Sequence, residues 1–172
     1  MSGPASLKPQ DVVIALKFAC HPERPWKYAV LARELCMSPS ELHAGVRRLR
    51  DCRLWNPVLN RVDRAALRNF LVHGLLHVFP AIPASEARGM PTGISAAPLA
   101  GKFLAGNDHP FVWAHRNGRA HGKRVEPLYR RAPDAAANDA ALYELLVLAD
   151  ALRVGQARER NAAAQALSER LS

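Results

Sequence analysis

Apolar residues in the first half of the chain recur every three or four positions, which is the period of a helix with one buried face. This spacing predicts helices over residues 8–20 and 64–79, and two shorter helices that flank a tight break within residues 26–51. Ser38 and Glu41 have the spacing of a capping box at the start of the second short helix. The pattern therefore predicts a helix, a tight turn and a capped second helix.

The helical wheel of the capped helix shows which of its side chains point away from the core. Leu42, Val46 and Leu49 form the buried stripe. The opposite face collects Ser40, Ala44, Arg47 and Asp51, with His43 and Arg48 at its edges. A helix that enters the major groove of DNA suits such a face, because small residues allow close approach and arginines bind guanine or phosphate. A plainer alternative stays open, namely a three-helix core with a solvated basic face.

Residues 53–55 and 57–61 predict two short strands joined by a turn, directly before the next helix. Such a ribbon would form a wing beside the capped helix, and it would place Asn56, Asn60 and Arg61 near the DNA backbone or the minor groove. The alternative is an ordinary loop that joins two helices.

The stretch LARELCMSPSELHAGVRRL contains a Leu-Ala pair, a turn, Ser-x-Ser-Glu and a basic helix that ends in leucine. With the residues around it, over positions 7–61, it resembles the winged helix-turn-helix domains of bacterial transcriptional regulators of the MarR type. The resemblance implies a second helix in the major groove, a wing on flanking phosphates and a homodimer. We expect DNA contacts from Lys27, Tyr28, Ser38, Ser40, His43, Ala44, Arg47, Arg48, Asn56, Asn60 and Arg61. The chain departs from the family pattern at Cys52-Arg53, where a glycine is usual, and its wing is short.

The charge of the chain favours an anionic partner. The net charge is +9 at pH 7, and residues 47–68 hold seven arginines against two aspartates. A second basic run, residues 102–131, holds seven lysines and arginines against two acidic residues. Nucleic acid fits both runs better than a membrane surface, because no basic amphipathic helix with a bulky aromatic face accompanies them. No apolar stretch is long enough to span a membrane, and the three cysteines form no metal-binding or paired spacing. We therefore expect a cytoplasmic protein without a membrane partner.

The pattern changes in the second half of the chain. Proline and glycine interrupt the periodicity in residues 80–110. Within this region, residues 89–93 predict an ordered turn, and a short helix is expected somewhere within residues 92–104. Alternating apolar and polar residues on either side of an Asn-Gly pair predict a β-hairpin over residues 111–128.

Residues 138–172 return to a helical period, with a break at Gly155. We expect the first helix of this region to form the seam of a homodimer, because it is apolar on one face and rich in alanine on its flanks. The expected dimer contacts are Leu142, Leu145, Leu146, Ala149 and Leu152. The alternative is that these side chains cover the chain's own core.

Two groups of histidines are candidates for chemistry. His73 and His77 have a spacing that suits a metal ion, but no carboxylate or cysteine lies in register, so we favour packing or capping. The second group surrounds the predicted hairpin and consists of His109, His115, His121 and Trp113. It would form a polar patch, an anion site or a base-stacking platform. No known catalytic signature includes these residues, and we expect neither enzymatic activity nor a cofactor or metal.

These patterns predict an α+β protein, mainly α, in which a winged helix-turn-helix precedes a small domain with a β-hairpin and C-terminal helices. We expect residues 7–79 to bind DNA, residues 80–137 to contain the hairpin and residues 138–172 to mediate dimerisation. The expected function is that of a transcriptional repressor that binds double-stranded DNA as a homodimer, with a layout similar to antitoxins of toxin–antitoxin or phage-defence loci. The alternative is a protein-interaction module or antitoxin whose C-terminal domain binds a protein partner.

Overall fold

The structure, a computed structural model, describes residues 6–103 and 110–172, which form eight α-helices and five short strands. The helices are α1 (Pro9–Cys20), α2 (Tyr28–Glu34), α3 (Pro39–Asp51), α4 (Arg64–His73), α5 (Leu75–Val78), α6 (Ala132–Ala137), α7 (Ala140–Val154) and α8 (Ala157–Arg170). The strands are β1 (Trp55–Asn56), β2 (Arg61–Val62), β3 (Glu86–Pro91), β4 (Phe111–Ala114) and β5 (Ala120–Arg124). The fold is therefore α+β with helix predominating, as predicted.

Helix α1 lies at the centre of the fold. Every residue from Asp11 to Ala19 is buried, and α3, β2 and α7 all pack against this helix. Its sequence is nearly continuous in apolar residues because a helix surrounded by other elements has no solvated face. Most of the buried apolar residues of α1 and α7 belong to one apolar core. The N-terminal and C-terminal parts of the chain therefore share that core.

The predicted start of α3 is confirmed. The Ser38 Oγ accepts a hydrogen bond from the Glu41 N–H at 3.2 Å, and the Ser38 N–H donates to the Glu41 carboxylate at 3.0 Å. Asp63 caps α4 in a similar way through its side chain. The single helix predicted over residues 64–79 is wrong in its middle, since α4 ends at His73 and α5 begins at Leu75, with Gly74 between them. Glycine is a poor helix former, which explains a break at this position.

A residue in the left-handed conformation closes the last turn of both α2 and α3. Cys36 has a φ of 55° and Arg53 has a φ of 59°. After α3, the Arg53 N–H donates to the Arg50 carbonyl at 3.0 Å. The next N–H, that of Leu54, donates to the Leu49 carbonyl at 2.9 Å. Glycine is usual at such a helix end because a Cβ atom carries a steric cost there. Arg53 therefore takes, at the end of α3, a conformation that glycine usually takes.

The hairpin predicted over residues 111–128 is wrong. Both β4 and β5 pair with β3 in antiparallel fashion, and they pair with each other in parallel. The three strands thereby close into a small barrel. The short helix predicted within residues 92–104 is a three-residue 3₁₀ helix at Gly93–Ser95, which is followed by turns up to residue 102. Residue 104 lies outside the described residues.

Glycines allow the strands of this barrel to approach one another closely. A Cβ atom on Gly89 would clash with the backbone of Trp113, and one on Gly122 would clash with the backbone of Pro110. The predicted turn over residues 89–93 is thus mostly the end of β3, and Gly89 marks a close approach of two backbones rather than a turn.

Helix α7 is covered by the chain itself. The residues predicted as the centre of a dimer seam are each at most 3% exposed: Leu142, Leu145, Leu146, Ala149 and Leu152. Helices α1, α4, α5, α6 and α8 pack against α7, as does the 3₁₀ turn. The prediction that this face pairs two copies is therefore wrong, because the same apolar stripe is already buried in the core of one copy.

A buried polar cluster fastens α7 to the barrel. The Asp150 Oδ2 accepts hydrogen bonds from the Trp113 Nε1 at 2.6 Å and from the Thr92 Oγ1 at 2.8 Å. The Asp150 Oδ1 accepts a third from the Arg153 Nη1 at 2.7 Å. Trp113 is 1% exposed, so the prediction that it stacks on nucleic-acid bases is wrong. Its indole is a core side chain whose N–H is satisfied by a buried carboxylate.

Candidate nucleic-acid interface

The outer face of α3 carries small, polar and basic side chains. Ser40, His43 and Arg47 are exposed, and Ala44 is half-buried, while the apolar stripe on the opposite side is buried, as the helical wheel predicts. Arg47 forms no ion pair with any residue in the ranges 6–103 and 110–172. Its guanidinium is therefore available to a partner in solution.

Arg48, the next residue, points into the protein. Its Nε donates to the Asp11 Oδ2 and its Nη2 donates to the Asp11 Oδ1, each at 2.7 Å. The hydrogen bonds to Asp11 raise the pKa of the Arg48 guanidinium above its already high ordinary value. Gly45 leaves room for this pair, since a Cβ atom there would lie 2.9 Å from the Asp11 Oδ1. The prediction that Arg48 contacts DNA is therefore wrong, because its side chain is turned inward and a carboxylate on α1 binds the Nε–Nη2 edge of its guanidinium.

The start of α2 lies beside the outer face of α3. The rings of Tyr28 and His43 have centroids 4.7 Å apart, and Lys27, which precedes Tyr28, is exposed. Lys27 and Tyr28, both predicted DNA contacts, therefore lie on the same surface as the outer face of α3. Ser38 lies nearby, but its hydroxyl accepts from the Glu41 N–H and donates to the Glu41 carboxylate. Its observed role is to cap α3.

Strands β1 and β2 form a two-residue antiparallel hairpin with an exposed tip. The Asn56 Oδ1 accepts hydrogen bonds from the backbone N–H groups of Val58 and Leu59 at 3.0 and 2.9 Å, which shapes the turn. Val58 is 89% exposed. Arg61 is also exposed and has no ion pair within the described parts of the chain. The hairpin thus presents a basic residue and an apolar tip next to α3.

Arg50, which is not among the predicted DNA contacts, connects α3 to this hairpin. Its Nη2 donates to the Asn60 Oδ1 at 3.3 Å, and its guanidinium carbon lies 5.5 Å from the centre of the Trp55 ring. Asn60 itself has a φ of 46°, a conformation that asparagine tolerates better than most residues. Arg50 lies three residues after Arg47, and this helical spacing indicates that the two side chains lie near each other on α3. Its contact with the hairpin depends on how the chain folds back.

The surface formed by α3, the start of α2 and the hairpin is basic; we call it the α3 surface. Its exposed basic residues are Lys27, Arg47, Arg50, Arg53 and Arg61, and its exposed acidic residues are Glu41 and Asp51. The Glu41 carboxylate is engaged in the cap of α3. A surface of this charge attracts anions over several ångströms and raises the rate at which they arrive.

The histidines predicted to face each other around the barrel have separate partners. The His115 Nε2 lies 3.1 Å from the Asp134 Oδ1, whereas the His121 Nδ1 lies 3.5 Å from the Glu86 Oε2. The interpretation of these two residues as one polar patch is therefore wrong. His109 lies outside the described residues.

His73 and His77 lie on different helices. His73 ends α4 and His77 belongs to α5, with the break at Gly74 between them. Both side chains are exposed, so neither takes part in the apolar core. Among residues 6–103 and 110–172, neither belongs to a cluster of three potential metal ligands.

Another group of potential metal ligands lies where α1 meets the start of α7. One ligand atom each from Cys20, His21 and Asp139 lie within 4.8 Å of one another. However, the Lys17 Nζ donates to the Asp139 Oδ2 at 2.5 Å and lies 2.8 Å from the Glu34 Oε2. Burial, with a smaller effect of the Asp139 charge, raises the pKa of the Cys20 thiol to about 12, which disfavours the thiolate that a metal needs. These residues fit a buried ion-pair network better than a metal site.

Comparison with known protein families, with curated proteins and with solved structures finds no match to this chain. Within the described ranges, no helix has both the length and the apolar character needed to cross a membrane. The α3 surface combines an exposed helix face, a short hairpin and two exposed arginines, Arg47 and Arg61, which have no ion pair within residues 6–103 and 110–172.

Proposed function

We propose that this protein is a transcriptional regulator that binds specific sequences in double-stranded DNA through the α3 surface. The observation that carries this proposal is the position of Arg47. It is exposed, has no ion pair in the described ranges and follows two small residues, Ser40 and Ala44, on the same helix face. A helix with that composition can lie close to the base edges, and its arginine can donate two parallel hydrogen bonds to one guanine.

The remaining residues of the α3 surface have roles that follow from their positions. His43 and Ser40 lie near the start of α3, where a recognition helix reaches base edges. Lys27 and Tyr28 lie at the start of α2, where this type of motif meets the backbone of the duplex. Arg61 on the hairpin binds a flanking phosphate, as a residue of a wing does.

The regulator acts as a repressor that blocks a promoter. One small reading module makes too few contacts for tight specific binding at physiological salt, so the proposal includes two copies on half-sites spaced by about 34–36 Å. Because the apolar face of α7 is buried in each copy, another surface holds the two copies together.

Selection from a pool of random duplexes tests the proposal without knowledge of the operator. Duplexes retained by the protein are sequenced, and the enriched sequence is titrated by fluorescence anisotropy at several salt concentrations. We expect one enriched motif, and an affinity that falls steeply between roughly 50 and 200 mM salt as counterions are released. Absence of any enriched motif would overturn the proposal of sequence-specific binding.

A matched pair of variants assigns the binding to α3. Arg47→Ala removes the exposed arginine of the proposed reading face, and Arg158→Ala removes an exposed arginine of α8 with the same loss of charge. If Arg47 contacts guanine, its loss costs about 1–3 kcal/mol of binding and relaxes the preference at one base position. Arg158→Ala leaves affinity and preference unchanged. Equal losses in both variants would mean that only net charge matters.

A further inference from the structure

A second group of arginines surrounds the connection between β4 and β5. Arg116 and Arg119 belong to this connection, and both are exposed. Arg88 of β3 is fixed beside them, because its Nε donates to the Gly118 carbonyl at 2.8 Å and its own carbonyl accepts from the His115 N–H at 3.3 Å. None of the three arginines forms an ion pair in the described ranges. Three uncompensated positive charges therefore lie close together on the barrel.

Asp134 of α6 joins this connection to the residues that precede α6. The Asp134 Oδ1 lies 3.1 Å from the His115 Nε2, and its Oδ2 accepts a hydrogen bond from the Arg131 Nε at 2.5 Å. Burial opposes the ionisation of Asp134, but these hydrogen bonds outweigh burial and lower the pKa of the carboxyl. The carboxylate therefore balances the charge of Arg131. Arg130 is exposed and has no ion pair within the part of the chain that the structure describes, so it adds a fourth uncompensated charge.

Tyr129 brings this group of residues to the start of α3. Its hydroxyl donates to the Cys36 carbonyl, in the turn between α2 and α3, at 3.0 Å. Burial and, to a smaller extent, the charge of Glu41 raise the pKa of this hydroxyl, whereas the charges of Arg131 and Arg130 lower it. Glu41 lies in the first turn of α3. Arg130 therefore lies near the proposed reading helix, although it belongs to the second half of the chain.

Together these side chains extend the basic character of the α3 surface onto the barrel; we call them the barrel arginines, namely Arg88, Arg116, Arg119 and Arg130. A protein partner usually requires an apolar centre in the interface. The large apolar side chains that are exposed in the described ranges all lie before residue 86: Val58, Leu59, Val78 and Ile82. A surface of arginines without an apolar centre suits phosphate groups, which a guanidinium binds through two parallel hydrogen bonds.

We propose that the barrel arginines bind phosphates of the same duplex that α3 contacts, beside the sequence that α3 recognises. This inference rests on the proposed DNA binding and adds a second contact region, outside residues 7–79, to it. Arg130 binds the phosphate nearest to the start of α3, and the arginines around the β4–β5 connection bind phosphates further away. Such contacts release counterions and strengthen binding, but they carry no direct preference for a base.

Phosphate ethylation of the duplex enriched by selection tests the proposal with the full chain. Ethylation removes the charge of one phosphate at a time, and the modified positions that block binding are mapped by strand cleavage of the free and bound duplexes. We expect positions beside the enriched motif to block binding of the native protein. Arg119→Ala and Arg130→Ala each lose sensitivity at one or two of these positions, because the guanidinium that contacts the phosphate is gone. The same pattern in the native protein and both variants would overturn the proposal.

The dependence of affinity on salt provides a second measurement. We expect the slope of log K against log salt concentration to become shallower by about 1 in Arg119→Ala and in Arg130→Ala, with the sequence preference unchanged. Arg158→Ala, the matched control on α8, retains the native slope. Circular dichroism verifies that the variants are folded, and all three positions are exposed. Equal slopes in the control and in both barrel variants would overturn the proposal.

Arg47→Ala separates this inference from the proposed function. If selection enriches a motif and Arg47→Ala weakens its binding, while Arg119→Ala and Arg130→Ala behave as the control does, only the contact by the barrel arginines is overturned. If selection enriches no motif, the proposed function and this inference are both overturned.

Discussion

Arg48 on α3 forms two parallel hydrogen bonds, each 2.7 Å long, with the carboxylate of Asp11 on α1. Asp11 is fully buried, so this pair anchors α3 to the central helix of the fold. The preceding residue, Arg47, points the other way and is exposed. Two adjacent arginines of one helix therefore have opposite environments: Arg48 is buried in an ion pair and Arg47 is exposed to solvent.

Replacing these two arginines separates the roles. We expect Arg48→Ala to lower the free energy of unfolding by about 3–5 kcal/mol, because it leaves a buried carboxylate without its partner. Arg47→Ala changes the same quantity by less than about 0.5 kcal/mol, as is usual for exposed positions. Urea unfolding followed by circular dichroism measures both values. Equal stability of the two variants would contradict the anchoring role of the Asp11 pair.

The carboxylate of Asp139 makes stability depend on pH. Burial opposes its ionisation, but hydrogen bonds from Lys17, His21 and the Leu142 N–H outweigh burial and lower its pKa from 3.8 to about 2. Because the folded pKa is the lower one, the stabilisation is complete above pH 4 and is lost as the pH falls towards 2. We expect a loss of about 2 kcal/mol in this range, measured by urea unfolding at successive pH values.

Asp139→Asn tests this assignment, since asparagine retains the capping geometry at the start of α7 without the charge. The variant is less stable than the native protein at neutral pH, and the difference shrinks between pH 4 and pH 2. Asp51→Asn, at an exposed position of α3, serves as the control and leaves the pH dependence unchanged. A constant difference between Asp139→Asn and the native protein across this range would exclude Asp139 as the titrating group.

The left-handed conformation of Arg53 offers a stabilising substitution. Glycine tolerates a φ of 59° without the steric cost that a Cβ atom brings, although it also raises the entropy of the unfolded chain. We expect Arg53→Gly to raise the free energy of unfolding by about 0.5–1 kcal/mol. Arg53→Ala removes the same charge but retains the Cβ atom, so it brings no comparable gain. If both variants gain the same free energy of unfolding, the cause is the lost charge and not the backbone conformation.

Leu146 distinguishes a core helix from a dimer seam. It is 2% exposed in a single copy, so Leu146→Ala creates a cavity and lowers the free energy of unfolding by about 2–5 kcal/mol. Light scattering measures the mass of the native protein and of the variant at the same concentration. We expect equal oligomeric states, since α7 is not an interface. If the native protein is a dimer and Leu146→Ala is a stable monomer, α7 forms the dimer interface after all.

Features that depend on a few neighbouring residues were predictable from the sequence. The capping box of Ser38 and Glu41 and the outward position of Arg47 are confirmed, because capping and helical period act over three or four residues. The short hairpin after α3 is also confirmed, but its strands are Trp55–Asn56 and Arg61–Val62 rather than 53–55 and 57–61. The same local rules place the exposed side chains of the α3 surface on one side of the helix.

Only the tertiary structure decided which partners these side chains and strands contact. The wheel placed Arg48 at the edge of an outer face, yet its partner Asp11 lies 37 positions away in the sequence. The apolar stripe of α7 has the same pattern whether it covers its own core or a second copy, and only packing distinguishes the two. The pairing of β4 and β5 with β3 likewise depends on glycines that let distant backbones approach. Such contacts join segments far apart in the chain, and no local period or spacing encodes which segments meet.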